Sequence, residues 1–415
     1  DTMIGVDGVV VASGPRFSYQ DVVLTTAVVD VPVAESTTAV CCEFELFETA
    51  EPVAADAAEE CAWETSMVLK EEEFSRALSL ALFDYMRKSY SRGFVLSLSG
   101  GADSATVAVL VKLMIDFAVK EIGLSGVAYR LRHCFENSAP ETAEKWVGEL
   151  LWCVYQATRN SGEITRDAAE SIAHAIGAQF YELNVDGVVE EYKSLVSHAL
   201  QRELTWDRDD LALQNIQARG RAPSVWMLAN IKRGLLLATS NRSEAAVGYT
   251  TMDGDTCGGI SPIAGIDKAF LREWLRWLEI EGPEGGEPIP ELVKVNAQQP
   301  TAELRPPEEN QTDESDLMPY EILDLIERLA IRDKMMPAEV FRVLQQHELI
   351  SSYQADRRQL IEWIKRFFQL WSRNQWKRER FAPSFHVDDE NLDPKTWCRF
   401  PILSGGFRRE LDALE

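Results

Sequence analysis

Phe94-Val95-Leu96-Ser97-Leu98 runs straight into Ser99-Gly100-Gly101-Ala102-Asp103-Ser104, and the reading of this join decides the fold. The first five residues form an apolar, β-prone run of the length of one buried strand. Ala105 to Val119 reads as a helix. Two glycines at a strand-to-helix join remove side chains, so backbone N–H groups can approach an anion while the helix adds its positive end. The hydroxyls of Ser99 and Ser104 can donate further hydrogen bonds. The loop is built for a phosphate. Asp103 would repel that phosphate unless a cation lies between them, and a magnesium ion held by Asp103 completes the arrangement. No lysine follows the glycines, so this is not the G-x-x-x-x-G-K-[ST] loop. Two other readings stand beside it. The glycines can form a bare strand-to-helix turn, or Ser99 can sit on a nucleophile elbow with His386 and Asp388 as partners, although that elbow wants glycine where Ser97 stands.

Outward from this join, strands alternate with helices. Lys70 to Tyr90 has helical spacing, with Phe74, Leu78, Ala81, Leu82 and Tyr85 on one face. Thr165 to Ile176 reads as a helix followed by the strand Phe180 to Val185, and Trp226 to Leu236 as a helix followed by Leu237-Ala238-Thr239. Such alternation predicts an α/β fold, a parallel sheet covered by helices on both faces. Residues 1–33 read as short strands around Val9-Val10-Val11 and Val22-Val23-Leu24. Pro319 to Trp376 is helical, restarted by Pro337 at a first-turn position. There is no internal repeat.

The 415 residues carry 67 Asp+Glu against 42 Lys+Arg, a formal charge of −25. A bulk nucleic-acid binder needs a cationic footprint, so that class is disfavoured. The acid is concentrated. Residues 35–73 carry −11 and residues 281–316 carry −8, which reads as a linker and a long surface loop. Residues 35–73 are expected to be mobile or weakly packed. Lys365, Arg366, Arg373, Lys377, Arg378 and Arg380 face only Glu379, a local +5. It invites an anionic ligand or an acidic neighbouring surface, or else forms the outer face of a helix whose inner face is Leu360, Ile364, Phe367 and Trp371.

Seven cysteines with no C-x-x-C pair give neither a disulfide framework nor a zinc site, and the default setting is the reducing cytoplasm. No apolar run approaches the roughly 18 residues that span a bilayer, and no secretion signal is apparent, so no membrane partner is expected. The first residue is Asp1, so a processed or incomplete chain is expected.

S-G-G-x-D-S after a strand resembles the pyrophosphatase loop of the adenylating PP-loop family, which includes NAD, GMP and asparagine synthetases. Later stretches narrow the resemblance to NAD synthetases. Gln214 to Arg221 resembles N-x-Q-A-R-x-R, and Thr239-Ser240-Asn241-Arg242-Ser243-Glu244 with Gly248-Tyr249 and Gly254-Asp255 resembles T-x-N-x-S-E … G-Y … G-D. Pro300-Thr301-Ala302-Glu303-Leu304 with Gln311, Asp313 and Glu314 resembles P-[ST]-A-E-L … Q-x-D-E, and Trp376-Lys377-Arg378 resembles a late Y-K-R.

The resemblance implies the adenine nucleotide alpha hydrolase-like fold and ATP-dependent amidation of nicotinic acid adenine dinucleotide to NAD, with ATP as co-substrate, Mg2+, and ammonia as nitrogen donor. Ser99, Gly100, Gly101, Asp103 and Ser104 would hold the ATP phosphates. Asp103 and Glu244 would share magnesium, Thr239 and Thr301 would contact ATP, and Lys268 would neutralise charge developing on the phosphates. Asn215, Arg219, Arg221, Glu244 and Lys377 would contact the dinucleotide. Singly, these residues also read as helix caps or surface charge.

On the same resemblance, residues 1–33 are the tail of a nitrilase-like glutaminase domain, 34–69 an acidic linker, 70–400 the synthetase domain and 401–415 a tail. Cys41, Cys42 and Cys61 lie in the acidic stretch without a basic partner, so ammonia-dependent activity is expected and glutaminase activity is not. The family's substrate loop T-K-[FY]-G-D-G-G-x-D has Met252 for its lysine and Gly259 for its last aspartate here. A homo-oligomer, at least a dimer, is expected. The alternatives are another PP-loop ligase, or a non-catalytic ATP-binding assembly module. A tRNA-thiolating relative would want catalytic cysteines and a basic surface, and the chain offers neither.

Overall fold

The computed structural model describes residues 2–29, 62–135, 139–299, 304–305, 313–402 and 404–414. An N-terminal hairpin pairs β1 (Met3–Val6) with β2 (Val9–Ser13). The α/β unit follows: α1 (Leu69–Ser89), β3 (Phe94–Ser97), α2 (Ala102–Arg130), α3 (Ala143–Leu150), β4 (Leu151–Ala157), α4 (Glu163–Ala175), β5 (Gln179–Asn184), α5 (Asp186–Leu200), α6 (Trp206–Lys232) and β6 (Leu235–Leu237). Beyond it lie α7 (Arg242–Val247), α8 (Lys268–Ile280), α9 (Val293–Asn296), α10 (Asp313–Asp316), α11 (Tyr320–Glu327), α12 (Pro337–Leu344), α13 (Glu348–Ser352), α14 (Arg357–Arg373) and α15 (Gln375–Arg378).

The four-stranded sheet has the order β5-β4-β3-β6 and every pairing is parallel. Side chains alternate across β3. Phe94, Leu96 and Leu98 join the large core with α1, α2, α3, α4 and α8, while Val95 turns to the opposite face with Trp152, Val154, Val225 and Ala229. Helices therefore cover both faces, as the alternation of strand and helix predicts. The C-terminal helices build a second core from Ile322, Ile326, Val340, Leu360, Ile364, Phe367 and Phe368, which also takes in Ala245 and Ala246 of α7. The expected inner face of α14 is buried as read.

Several expectations are corrected. Val22-Val23-Leu24 is not a strand, and among the described residues no layer covers the exposed Val22 and Leu24. Of the acidic stretch 35–73, residues 35–61, with Cys41, Cys42 and Cys61, lie outside the described residues. Its far end is well packed. Trp63 is buried, and Glu72 is buried against Arg76 at 3.0 Å while accepting from Glu284 N at 2.6 Å. Glu71 and Glu72 sit in the first turn of α1, where the helix dipole favours acid. The stretch 281–316 is not all surface, since Ile289, Leu292 and Val295 enter the main core. The helix expected from Trp226 begins at Trp206, and the helical region after Pro319 is divided into separate short helices.

Candidate active site

β3 delivers Leu98 to a backbone bond with Val154 O, and the chain then turns through Ser99-Gly100-Gly101 into α2. Gly100 has φ +84°, and a Cβ there would stand 2.0 Å from Thr165 O, so the backbone of α4 fills the space a side chain would need. The loop is braced from within. Ser104 Oγ donates to Gly101 O at 3.1 Å and accepts from Ser99 N at 3.2 Å, and Gly101 N donates to Ser99 Oγ at 3.3 Å. These two hydroxyls thus hold the shape of the loop. The first N–H groups of α2, which lack intrahelical acceptors, open onto a cavity of about 350 Å³.

Lys268, the first residue of α8, is buried and lies between two carboxylates. Its Nζ is 2.5 Å from Asp103 Oδ2 and 3.0 Å from Glu244 Oε1. Asn241, the N-cap of α7, fixes both acids: Oδ1 accepts from Glu244 N at 2.9 Å and Nδ2 donates to Asp103 Oδ1 at 3.1 Å. The Tyr320 hydroxyl reaches Glu244 Oε1 and Asp313 Oδ2, each at 3.3 Å. Burial pushes the Glu244 carboxyl above its ordinary range, against the pull of Lys268 and with the push of Asp103 and Asp313. Burial opposes the charge on Lys268, but Asp103, Glu244 and Asp313 outweigh it and hold the ammonium firmly protonated. Two carboxylates thus share one ammonium with Asp313 nearby, and Asp313 Oδ1 is buried with no hydrogen-bond partner among the described residues. Asp103 and Glu244 offer oxygen donors of the kind a hard cation takes, although among the described residues no group of three or more His, Cys, Asp or Glu is placed to hold a metal ion.

Arg242 holds the frame behind these groups. It is 2% exposed and pairs with Asp267, the N-cap of α8, with Glu327, and with Asp388 and Glu390 of the C-terminal segment. Lys268 N donates to Ser243 Oγ at 2.8 Å, which ties the start of α8 to α7.

Among the residues singled out from the sequence, Ser99, Gly101, Asp103, Ser104, Asn215, Arg221, Thr239, Glu244, Lys268 and Lys377 all line the one cavity, and Gly100 shapes its floor. Asn215 Oδ1 accepts from Thr251 Oγ1 at 2.9 Å, joining α6 to the loop after α7. Arg219 is exposed, donates to Met252 O at 3.0 Å and is not among the lining residues. Thr301 lies outside the described residues. Neither Met252 nor Gly259 is among the lining residues. Lys377 lines the cavity with its ammonium on two carbonyls, Gly248 O at 2.6 Å and Thr250 O at 2.7 Å. The elbow reading fails on geometry: Ser99 pairs with Ser104, whereas His386 Nε2 faces Ser384 and Asp393.

The sequence of the family described as NAD synthase matches residues 74–379, a span that includes the loop, α7, α8 and α15. The chain belongs to the NAD synthase family. It is 31% identical to the glutamine-dependent NAD(+) synthetase of Oryza sativa subsp. indica over 93% of this chain and 56% of that protein. It is 35% identical to the glutamine-dependent NAD(+) synthetase of Aquifex aeolicus (strain VF5) over 66% of this chain and 40% of that one. The crystal structure of a glutamine-dependent NAD(+) synthetase from Cytophaga hutchinsonii superposes with a TM-score of 0.71 and 46% identity, covering 83% of this chain and 56% of that one. The chain spans about half the length of these relatives.

Three residues that build this site escape a reading of the residues alone. Asn241 left a signal, an asparagine three positions ahead of Glu244 at a helix start. Tyr320 and Arg242 left none, because a tyrosine beside a helical run and an arginine inside a motif look the same whether buried or solvated.

Proposed function

We propose that this chain catalyses the ATP-dependent amidation of nicotinic acid adenine dinucleotide to NAD. A carboxylate does not accept ammonia because its oxygen is a poor leaving group. Attack of that oxygen on the α-phosphorus of ATP breaks the bond to pyrophosphate and forms an acyl adenylate. The ammonia lone pair then adds to the carbonyl carbon, AMP departs with the oxygen, and the nitrogen loses a proton to solvent. No side-chain nucleophile is required.

The observation that carries this reading is Lys268 held between Asp103 and Glu244 beside a glycine loop that opens helix N–H groups to the same cavity. Ser99, Gly100, Gly101 and Ser104 are assigned to the departing pyrophosphate, with Thr239 and Thr301 on ATP. Lys268 is assigned to charge developing on the phosphates. Asn215, Arg221, Glu244 and Lys377, with Arg219 at the rim, are assigned to the dinucleotide. Asp103 and Glu244 would hold magnesium, which when bound neutralises phosphate charge. The domain limits stated above, a cytoplasmic location and assembly as at least a homodimer belong to the same proposal. Exposed Tyr192, Leu195 and Leu211 on α5 and α6 support the last. The test follows pyrophosphate release with ATP, magnesium and a panel of carboxylic acids. Release that requires nicotinic acid adenine dinucleotide supports the reading, and release driven equally by unrelated acids favours another ligase of the same fold.

A further inference from the structure

The geometry points to Arg378, with Asn374 and Lys377, as the positioning device for the helix that carries Glu244 and for the loop after it. The helix α7 is six residues long and ends at Gly248 in the left-handed region. Beyond Gly248 N on Ala245 O at 3.2 Å and Tyr249 N on Glu244 O at 2.9 Å, its last carbonyls and those of the following loop have no further turn of helix to donate to them, so other donors must come from elsewhere. A single short segment of the C-terminal region supplies those donors almost in register. Arg378 Nη1 donates to Ala245 O at 3.2 Å and Ala246 O at 2.7 Å, and Asn374 Nδ2 donates to Val247 O at 2.7 Å. Lys377 Nζ donates to Gly248 O and Thr250 O.

The fit is close on the glycine side as well. A Cβ at Gly248 would stand 2.4 Å from Asn374 Cβ, so the segment is seated directly on the turn. Arg378 is 1% exposed, and its remaining hydrogen bonds go to Trp371 O at 2.6 Å and Gln375 Oε1 at 3.0 Å. Its guanidinium carbon lies 3.9 Å from the Trp371 ring centroid. None of these partners is a carboxylate. Burying a cation against carbonyl oxygen alone is costly in desolvation, and the feature it fixes is the end of the helix one residue beyond Glu244. Arg378 is not among the cavity-lining residues, so it acts through Glu244 and through the Gly248–Thr250 wall rather than on a ligand. Lys377 and Arg378 of the cationic C-terminal segment are thereby engaged within the chain. Arg366 adds a bond to Leu317 O at 2.6 Å, and Arg380 pairs with Asp253.

The kinetic half of this inference rests on the amidation reading, and the structural half does not. The test uses the full chain as wild type, Arg378→Met, Arg378→Lys, and Ile322→Val as a control that loosens the same core without touching the turn. Amide hydrogen exchange of residues 244–250, measured without substrates, is expected to rise in Arg378→Met and partly in Arg378→Lys, and to stay at the wild-type level in Ile322→Val. Turnover is expected to fall about a hundredfold in Arg378→Met with the KM for ATP within about twofold, as for a misplaced catalytic group. Wild-type exchange in Arg378→Met, or a turnover loss no larger than in Ile322→Val, overturns the assignment. If Arg378→Met does not fold, Arg378→Lys decides: wild-type exchange at 244–250 overturns the assignment, and raised exchange upholds it. A wild type with no NAD formation refutes the amidation reading and leaves the exchange result to judge the clamp.

Discussion

Lys268 sits where burial alone would strip its proton, and three carboxylates keep it charged. That balance makes it a fixed positive group aimed at the cavity rather than a mobile surface lysine. Lys268→Met is expected to lower turnover about a thousandfold, the scale of losing one preorganised electrostatic contact in a closed site. Steady-state kinetics checks this, and a loss below tenfold would remove Lys268 from the catalytic set. A second residue gives a pH signature. Burial pushes Glu327 from its ordinary 4.5 up to about 7, only partly offset by Arg242, with Glu390 and Asp267 adding to the rise. The folded state therefore binds the proton more tightly than the unfolded one. The stabilisation is fully present below about 4.5 and is lost as pH rises through about 7. Glu327→Gln, which has no proton to lose there, should flatten the fall in Tm between pH 5 and 8, and thermal unfolding across that range measures it. The sequence brought Asp103, Glu244 and Lys268 forward through motifs. It did not show that one asparagine orders both acids, or that Lys377 is engaged by carbonyls, because both facts depend on contacts between distant segments.

Among elements, the strand-to-helix join was legible because its local chemistry and its place in the sheet agree. Gly100 and Gly101 look equivalent in sequence and differ in the fold. Gly100 combines φ +84° with a backbone oxygen where its Cβ would go, whereas at Gly101, with φ −90°, the nearest atom to a Cβ is Ser99 Oγ at 3.5 Å. Gly100→Ala should cost about 3 kcal/mol or more, through strain and clash together. Gly101→Ala should stay within about 1 kcal/mol of wild type, as an ordinary surface change does. Urea denaturation of the two variants decides, and equal losses would contradict this account of the loop. β4 was not legible. The helix Ala143–Leu150 passes into the strand Leu151–Ala157 with no glycine or proline between them, so the apolar run carries no boundary signal. Trp206 as the start of α6 was hidden in the same way, since the early turns of that helix are polar and largely exposed.

At the scale of the whole molecule, the charge of −25 looks awkward for the proposed function, which handles two polyanions. Eight of the twelve carboxylates in residues 35–73 lie outside the described residues, and the acid that matters for chemistry is inside. Asp103, Glu244 and Asp313 lie in a cavity that Lys268, Lys377, Arg221, Arg272 and Arg276 also line, and under the proposed function a nucleotide would enter it as its metal complex rather than as a bare anion. The parallel sheet sets the loop and the start of α7 side by side at the carboxyl ends of β3 and β6, which is where open α/β sheets bind ligands. One assay tests the whole account most directly. The chain is incubated with ATP, magnesium, nicotinic acid adenine dinucleotide and ammonium, with Asp103→Ala alongside, and NAD and AMP are quantified. The account predicts NAD and AMP in equal amounts from the wild type and none above background from Asp103→Ala. Equal product from both proteins, or none from a folded wild type that still binds ATP, would contradict it.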